Sequence, residues 1–205
     1  MKFQHPPALC NRMTDPELIE GILRRDRNAF QYLVNRYQKQ VIKTACYFVG
    51  NMEDAEDLSQ EIFLEVIDSM NGFKKSASLS TWIYRITINK SLNMVKKQKR
   101  RGIMVRIESL FRNHDEHPGG REQEPSTSST DYEHKEKRAL LHAAISRLPE
   151  NQRIAFVLCK FEDQPYRQIA DIMGIGLPAV ESLMHRAKLN LQKHLVHQFS
   201  EYKTN

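Results

Sequence analysis

The sequence has little of what marks secreted, membrane-spanning or fibrous proteins. Its three cysteines, Cys10, Cys46 and Cys159, are widely spaced, so we expect free thiols in a reducing compartment and no disulfide framework. No apolar run reaches the ~18–20 residues needed to cross a bilayer, and the N-terminus lacks the apolar core of a secretory signal. Glycine and proline, eight of each in 205 residues, are too few for a fibrous or mostly disordered chain. These absences predict a cytoplasmic globular protein without membrane insertion.

The charges are strongly segregated along the chain. The formal net charge is +6, yet residues 51–71 hold seven acids and no base, and residues 72–106 hold ten bases and no acid. Residues 107–136 are acidic again, with eight acids against three bases. Such blocks predict separate surfaces for partners of opposite charge.

Apolar residues recur three and four positions apart along most of the chain, which predicts an all-α fold. The second helix is expected from about Asn28 to Val49, and the third is expected to end at Gly72. Residues suited to helix ends support this prediction: Thr14 with Glu17 as a capping box, Gly50 after the second helix, Asn51 before the third, and Ser80 or Thr81 before the fourth.

The periodic pattern stops near Gln98, and residues 112–130 combine Pro-Gly-Gly with a Ser/Thr run and no apolar stripe. Such composition is typical of a flexible tether. We therefore expect two small helical domains joined by a flexible linker. The predicted boundaries are a disordered extension over 1–13, a first domain over 14–98, an acidic linker over 99–133 and a second domain over 134–200.

Residues 166–183 have the pattern of a helix-turn-helix. Ala170 is small where two helices cross closely, Gly174 suits the turn, and Pro178 suits the first turn of the second helix. The expected apolar contacts between the helices are Ile169, Ile175, Val180 and Leu183. Side chains predicted to face a DNA major groove or its phosphates are Ala179, Glu181, Ser182, His185, Arg186 and Lys188. An ordinary helical hairpin is the alternative.

The predicted third helix is acidic, with carboxylates at Glu53, Asp54, Glu56, Asp57, Glu61, Glu65 and Asp68. A metal site, a solvated face and a docking face for a basic partner are the three interpretations. No Glu-x-x-His motif accompanies the acids, which weakens the metal hypothesis. Since like charges along one helix repel one another, a partner is favoured over a metal.

The following stretch is basic and contains aromatic residues. Cations hold phosphates, and exposed aromatic rings stack on unpaired bases, so this segment predicts a platform for single-stranded nucleic acid. The alternative places Trp82 in a protein core. The residues concerned are Lys74, Lys75, Arg85, Lys90, Lys96, Lys97, Lys99, Arg100, Arg101 and Arg106, with Phe73, Trp82 and Tyr84 among them.

Four segments in this order resemble the sigma-70 family of bacterial RNA polymerase sigma factors, in its two-domain extracytoplasmic-function (ECF) type. They are Glu56–Phe63, Thr81–Ile86 with Asn89, Leu148–Arg153, and Ile169–Lys188. The resemblance covers about residues 14–98 and 134–197. It implies a non-enzymatic subunit, without cofactor, metal or catalytic residues, whose partners are core RNA polymerase and promoter DNA. An anti-sigma factor, membrane-bound or soluble, is a further partner that the resemblance allows.

The resemblance implies a role for each matching residue. Binding to core polymerase would use Asp54, Asp57, Leu58, Gln60, Glu61 and Phe63. Recognition and melting of the minus-ten element would use Lys74, Lys75, Ser76, Ser78, Trp82, Tyr84, Arg85, Asn89, Lys96 and Lys97. Recognition of the minus-thirty-five element would use Tyr166, Arg167, Pro178, Ala179, Glu181, Ser182, His185, Arg186 and Lys188. The sequence departs from the family at Pro178-Ala179 and at Glu181, where the family often has a Gly-Thr-like pair and a basic residue, so base preference stays open.

Two other classes of protein compete with this interpretation. A helix-turn-helix regulator acting without core polymerase would not need residues 51–101. An enzyme would need a nucleophile, a base with its orienting partner or a Gly-rich phosphate loop, and the sequence offers none of these.

Overall fold

The computed structural model describes residues 13–74, 77–111 and 140–202, and the regular elements in these ranges are all helical. A 3-10 turn, Met70–Gly72, lies between α3 and α4. The helices are α1 (Asp15–Leu23), α2 (Arg27–Val49), α3 (Met52–Asp68), α4 (Leu79–Phe111), α5 (140–146), α6 (Glu150–Lys160), α7 (Tyr166–Met173) and α8 (Leu177–Tyr202). The all-α prediction is confirmed for these ranges.

Helices α1–α4 form the first helical unit around one apolar cluster. Leu33, Val41, Ile62 and Ile83 are completely buried in it. The helix ends are capped largely as predicted: the Thr14 backbone N–H donates to the Glu17 carboxylate at 2.8 Å, and Gly50 ends α2 with a left-handed φ of 95°. Since α2 brings apolar side chains to one face every three or four residues, it packs on α1, α3 and α4 together.

Three details of this unit differ from the sequence prediction. Phe30 has the same three-and-four spacing as the apolar residues Leu33, Val34 and Tyr37, which predicts burial, yet it is 37 % exposed because it lies near the end of the unit, beside Leu23 at the surface. Helix α3 ends at Asp68, and the 3-10 turn carries the chain on to Gly72. The N-cap of α4 is Ser78, whose hydroxyl accepts from the Thr81 N–H at 3.1 Å, not Ser80 or Thr81 themselves.

Two elements reach beyond the predicted ends of the first domain. Helix α4 continues to Phe111, past Gln98, through a stretch that begins with the good helix formers Lys99, Arg100 and Arg101. Met13 packs, partly buried, against the first core, so it does not belong to a disordered extension. Residues 1–12 and the linker over 112–133 lie outside the described residues.

Helices α5–α8 form the second helical unit. Gly174 ends α7 with a left-handed φ of 67°, Ala170 is 9 % exposed at the helix crossing, and Ile169 and Val180 are completely buried. Pro178 is in the first turn of α8. The predicted helix-turn-helix, formed by α7 and α8, is confirmed as a structural element.

The two helical units share one buried apolar cluster. The sequence predicted two separate domains and did not predict this contact between them. Phe48 of α2 and Tyr84, Ile88 and Leu92 of α4 belong to the same buried cluster as the apolar side chains of α5–α8. Within the described ranges, no helix has both the length and the apolar composition to cross a membrane.

Candidate functional site

The acidic side chains of α3 divide into exposed and structurally engaged groups. Asp57, Gln60 and Glu61 are exposed, whereas Asp54 is half-buried. The Asp54 carboxylate accepts from the side-chain amides of Asn51 at 2.8 Å and of Gln98 at 3.1 Å. Asp54 therefore links α3 to α4 and leaves the other three side chains free for a partner.

Leu58 and Phe63, which the resemblance implied as contacts to core polymerase, are only 4 % and 5 % exposed. Both belong to the apolar cluster of the first unit. They lie on the buried stripe of α3, opposite the acids, because that stripe repeats at helical spacing. The structure assigns them to the core of the unit and not to an exposed contact surface.

An open groove of about 840 Å³ separates the acidic face of α3 from the basic face of α4. Asp57 and Glu61 line it on one side, and Lys97 and Arg101 on the other. A cross-helix ion pair joins Glu65 to Lys90 at 3.3 Å. Across the described residues, no three metal-ligating side chains are placed to hold an ion, so the metal hypothesis has no support from the geometry there.

The predicted strand-binding residues of α4 fall into two groups. Lys74, Ser78, Asn89, Lys96 and Lys97 are exposed, and Lys75 and Ser76 lie outside the described residues. Trp82 is half-buried against the first core, with its ring tilted on that of Phe73 at a centroid distance of 5.1 Å. One part of the indole therefore packs inside, as the alternative interpretation held, and another part is accessible.

Tyr84 and Arg85, by contrast, are engaged by the second unit. The Tyr84 hydroxyl donates to Glu162 Oε2 at 3.2 Å and accepts from Gln164 Nε2 at 3.1 Å. Arg85 donates from Nε to the Ile172 carbonyl at 3.1 Å and from Nη2 to the Asp171 carbonyl. Burial, reinforced by the neighbouring Glu162, raises the pKa of the Tyr84 phenol well above its usual range.

Glu162 stands in the loop between α6 and α7, and its side chain is 5 % exposed. Burial raises the pKa of its carboxyl group, and Lys43, whose Nζ is 3.5 Å from Oε1, partly opposes that rise. Sequence reasoning missed Glu162, Gln164 and Gln168. They belong to a short polar loop and to the start of α7, and no periodicity distinguishes their side chains from solvated ones.

The recognition helix of the helix-turn-helix presents a different, open surface. Glu181, Ser182 and His185 are exposed on its first turns. Pro178, Ala179, Arg186, Lys188 and Arg167 are exposed as well, whereas Tyr166 is half-buried and packs against the shared core. The arrangement is able to place polar tips and cations against a duplex.

Comparison with known proteins gives consistent matches. The family model for sigma-70 region 2 matches residues 33–101, and the model for sigma-70 region 4 matches residues 138–191. The chain is 30 % identical to the RNA polymerase sigma-H factor of Pseudomonas aeruginosa, over 88 % of this chain and 93 % of that protein. It is 33 % identical to the ECF RNA polymerase sigma factor SigE of Mycolicibacterium smegmatis. That alignment includes 82 % of this chain and 62 % of the length of the relative.

The fold also matches a solved structure of CnrH in complex with the cytosolic domain of CnrY. The TM-score is 0.61 at 19 % identity, covering 89 % of this chain and 97 % of that one. A second match is the sigma factor RpoE in complex with the anti-sigma factor NepR from Bartonella quintana, with a TM-score of 0.53 at 21 % identity, covering 81 % of this chain and 96 % of that one. With both regions matched in order and a relative aligned over nearly its whole length, the chain belongs to the ECF sigma factors of bacterial RNA polymerase.

Proposed function

We propose that this chain binds core RNA polymerase in the bacterial cytoplasm and directs it to specific promoters, recognising minus-ten and minus-thirty-five elements and aiding strand opening. The match of regions 2 and 4, in order, to the two helical units carries the proposal. No catalytic chemistry is required of the chain, because its part is to position polymerase and DNA.

Core polymerase binds to the exposed acids of α3 in this proposal. Asp57, Gln60 and Glu61 share one side of the helix and are exposed. The carboxylates of Asp57 and Glu61 favour a basic docking surface, and the amide of Gln60 offers hydrogen bonds beside them. Because all three side chains are exposed, the first unit does not have to rearrange to offer them.

The minus-ten strand binds along α4. The accessible part of Trp82 offers a ring for stacking, Asn89 offers a donor, and the cations at the following turns hold phosphates. Tyr84 and Arg85, which the family resemblance also implies here, are engaged by the second unit in this structure. The minus-thirty-five duplex receives the first turns of α8, with Glu181 and Ser182 at base edges and Arg186 and Lys188 at phosphates. One matched structure is of a sigma factor in complex with an anti-sigma factor, which supports regulation of this chain by a partner of that kind.

Run-off transcription with purified core polymerase tests the proposal. A promoter library with randomised minus-ten and minus-thirty-five elements serves as template, with and without the full chain. We expect transcripts from a sequence-restricted subset that depend on the added chain. Specific duplex binding without any run-off product would instead establish the alternative, a helix-turn-helix regulator acting without core polymerase.

A further inference from the structure

A second groove, of about 870 Å³, runs along α2 and takes no part in the proposed function. Ile42 and Cys46 line it from α2, and Leu141 of α5 and Phe161, after α6, line the opposite side. All four side chains are half-buried, and Met52 at the far end of the groove is 55 % exposed. An apolar groove of this kind gains hydrophobic free energy when another apolar surface covers it.

The chain enters α1 close to one end of this groove. The carboxylate of Asp15, the first residue of α1, pairs with Arg36 Nη1 at 2.8 Å. Lys39, which lines the near end of the groove, follows Arg36 by three residues and therefore lies one turn further along the same side of α2. Met13 packs, partly buried, against the first core. The chain on the N-terminal side of α1 therefore starts beside the groove.

Residues 1–12 are long enough to follow the groove from end to end. The groove extends along α2 from Lys39 to Gly50, which corresponds to about 17 Å at the helical rise. Twelve residues in the polyproline II conformation span about 37 Å. Pro6 and Pro7 favour this extended conformation and lower the entropy that the segment loses when it is ordered.

The composition of residues 1–12 also fits the groove. Phe3 and Leu9 are large apolar side chains that suit its walls, and the segment contains Lys2 and Arg12 but no acid. The far end of the groove is acidic, because Glu56 of α3 lines it and is exposed. A basic, partly apolar segment is therefore complementary to the groove in both apolar character and charge.

We propose that residues 1–12 of this chain dock in the groove between α2 and α5, with Phe3 and Leu9 against its apolar walls and Lys2 towards Glu56. The docked segment covers the Cys46 thiol. The inference does not depend on the proposed function, because it concerns the isolated chain.

Alkylation of Cys46 by iodoacetamide measures whether the groove is covered. The full chain carrying Cys10→Ser and Cys159→Ala is the reference, because Cys46 is then its one remaining thiol. In this reference, Phe3→Asp with Leu9→Asp removes the apolar contacts of the segment.

Gln4→Asp with Asn11→Asp is the matched control, since it adds the same two charges to polar residues of the same segment. Iodoacetamide is uncharged, so the added carboxylates do not attract or repel the reagent itself. Circular dichroism melting shows which variants fold.

If about nine molecules in ten are docked, release of the segment raises the alkylation rate about tenfold. We expect this increase in the Phe3→Asp, Leu9→Asp variant, and a rate within about twofold of the reference in the control. A photocrosslinker, p-benzoylphenylalanine in place of Leu9, identifies the surface that the segment contacts. We expect crosslinks within one chain, to α2 or α5, when the products are mapped by mass spectrometry.

Equal alkylation rates in the reference and in the folded variants would overturn the inference, because residues 1–12 would then not cover Cys46. An equal increase in the variant and in the control would overturn the assigned apolar contacts. Crosslinks between chains, with protection of Cys46 that grows with protein concentration, would assign the groove to a second copy instead. Run-off transcription reports separately on the proposed function.

Discussion

The two predicted DNA-binding surfaces differ in their availability. The first turns of α8 present Glu181, Ser182 and His185 to solvent, whereas Tyr84 on α4 is 4 % exposed beneath the second unit. A surface that reads base edges in a duplex is polar, so burying it against another part of the protein yields little hydrophobic free energy. A surface that stacks unpaired bases is aromatic and apolar, and any apolar protein surface of matching shape binds it as well.

Both DNA-binding surfaces act on one polymerase-bound molecule in the proposed function, so the largest effect is expected at the polymerase-binding face of α3. Asp57→Arg with Gln60→Ala should abolish binding to core polymerase and all run-off transcription, because it reverses charge on the exposed face of α3. Co-purification with core polymerase measures the effect, with the helical circular dichroism spectrum as control. Retained co-purification of a folded variant would remove α3 from the interface.

A smaller effect separates backbone attraction from base reading on α4. Lys96→Ala with Lys97→Ala should weaken binding to all promoters about equally, and should lower the salt dependence of strand binding by a slope of about 1.4 for two lost phosphate contacts. Since Lys96 also pairs with Glu150, Lys97→Ala alone isolates the DNA contribution. A change of preferred minus-ten sequence in these variants would contradict the assignment to phosphates.

The availability of α4 should also depend on pH through Glu162. Burial raises the pKa of Glu162 above the ordinary value of 4.5. The packing of the two units around Glu162 is therefore most stable below pH 4.5, and it loses stability as the pH rises through the raised pKa. Lys43, Tyr47 and Tyr84 face this carboxyl group, and burial raises the pKa of both tyrosine phenols above their ordinary value.

We therefore compare the single-strand affinity of the wild-type full chain with that of Glu162→Gln at each pH. The ratio of wild-type to variant affinity should increase a few-fold as pH rises from about 4.5 towards neutrality. The ratio removes the contribution of titratable groups other than Glu162. Binding of duplex DNA by α8 should lack this dependence on Glu162. An equal ratio at all pH values would show that Glu162 does not govern the packing.

The smallest effect concerns the open surface. Glu181→Ala should relax base preference at one position of the minus-thirty-five element and lower affinity by less than about twofold, since a carboxylate reads one base and holds no phosphate. A binding-site selection on both forms is the measurement. Identical selected sequences would leave Glu181 as a helix-capping or His185-pairing residue and move readout to Ser182, His185 or DNA shape.

Local patterns predicted the helices well where one residue type decides the conformation. Gly50 and Gly174 have left-handed φ values that suit glycine, and Asn51 caps α3 through its side chain. Local patterns did not predict the length of α4, which continues past Gln98 through Lys99, Arg100 and Arg101 to Phe111. Leu58 and Phe63 show a second limit, since a family motif includes core residues together with contact residues.

The sequence by itself determined the helical content, the helix-turn-helix and the segregation of acids on α3 from bases on α4, because periodicity, capping and charge are local properties of the chain. The tertiary structure alone decided that α4 buries Tyr84, Ile88 and Leu92 against the second unit, and that Glu162 lies between Lys43 and Tyr84. The hydrogen bond between Tyr84 and Glu162 joins residues 78 positions apart. Which of two apolar faces meet depends on their shapes in three dimensions, and no local pattern carries that information.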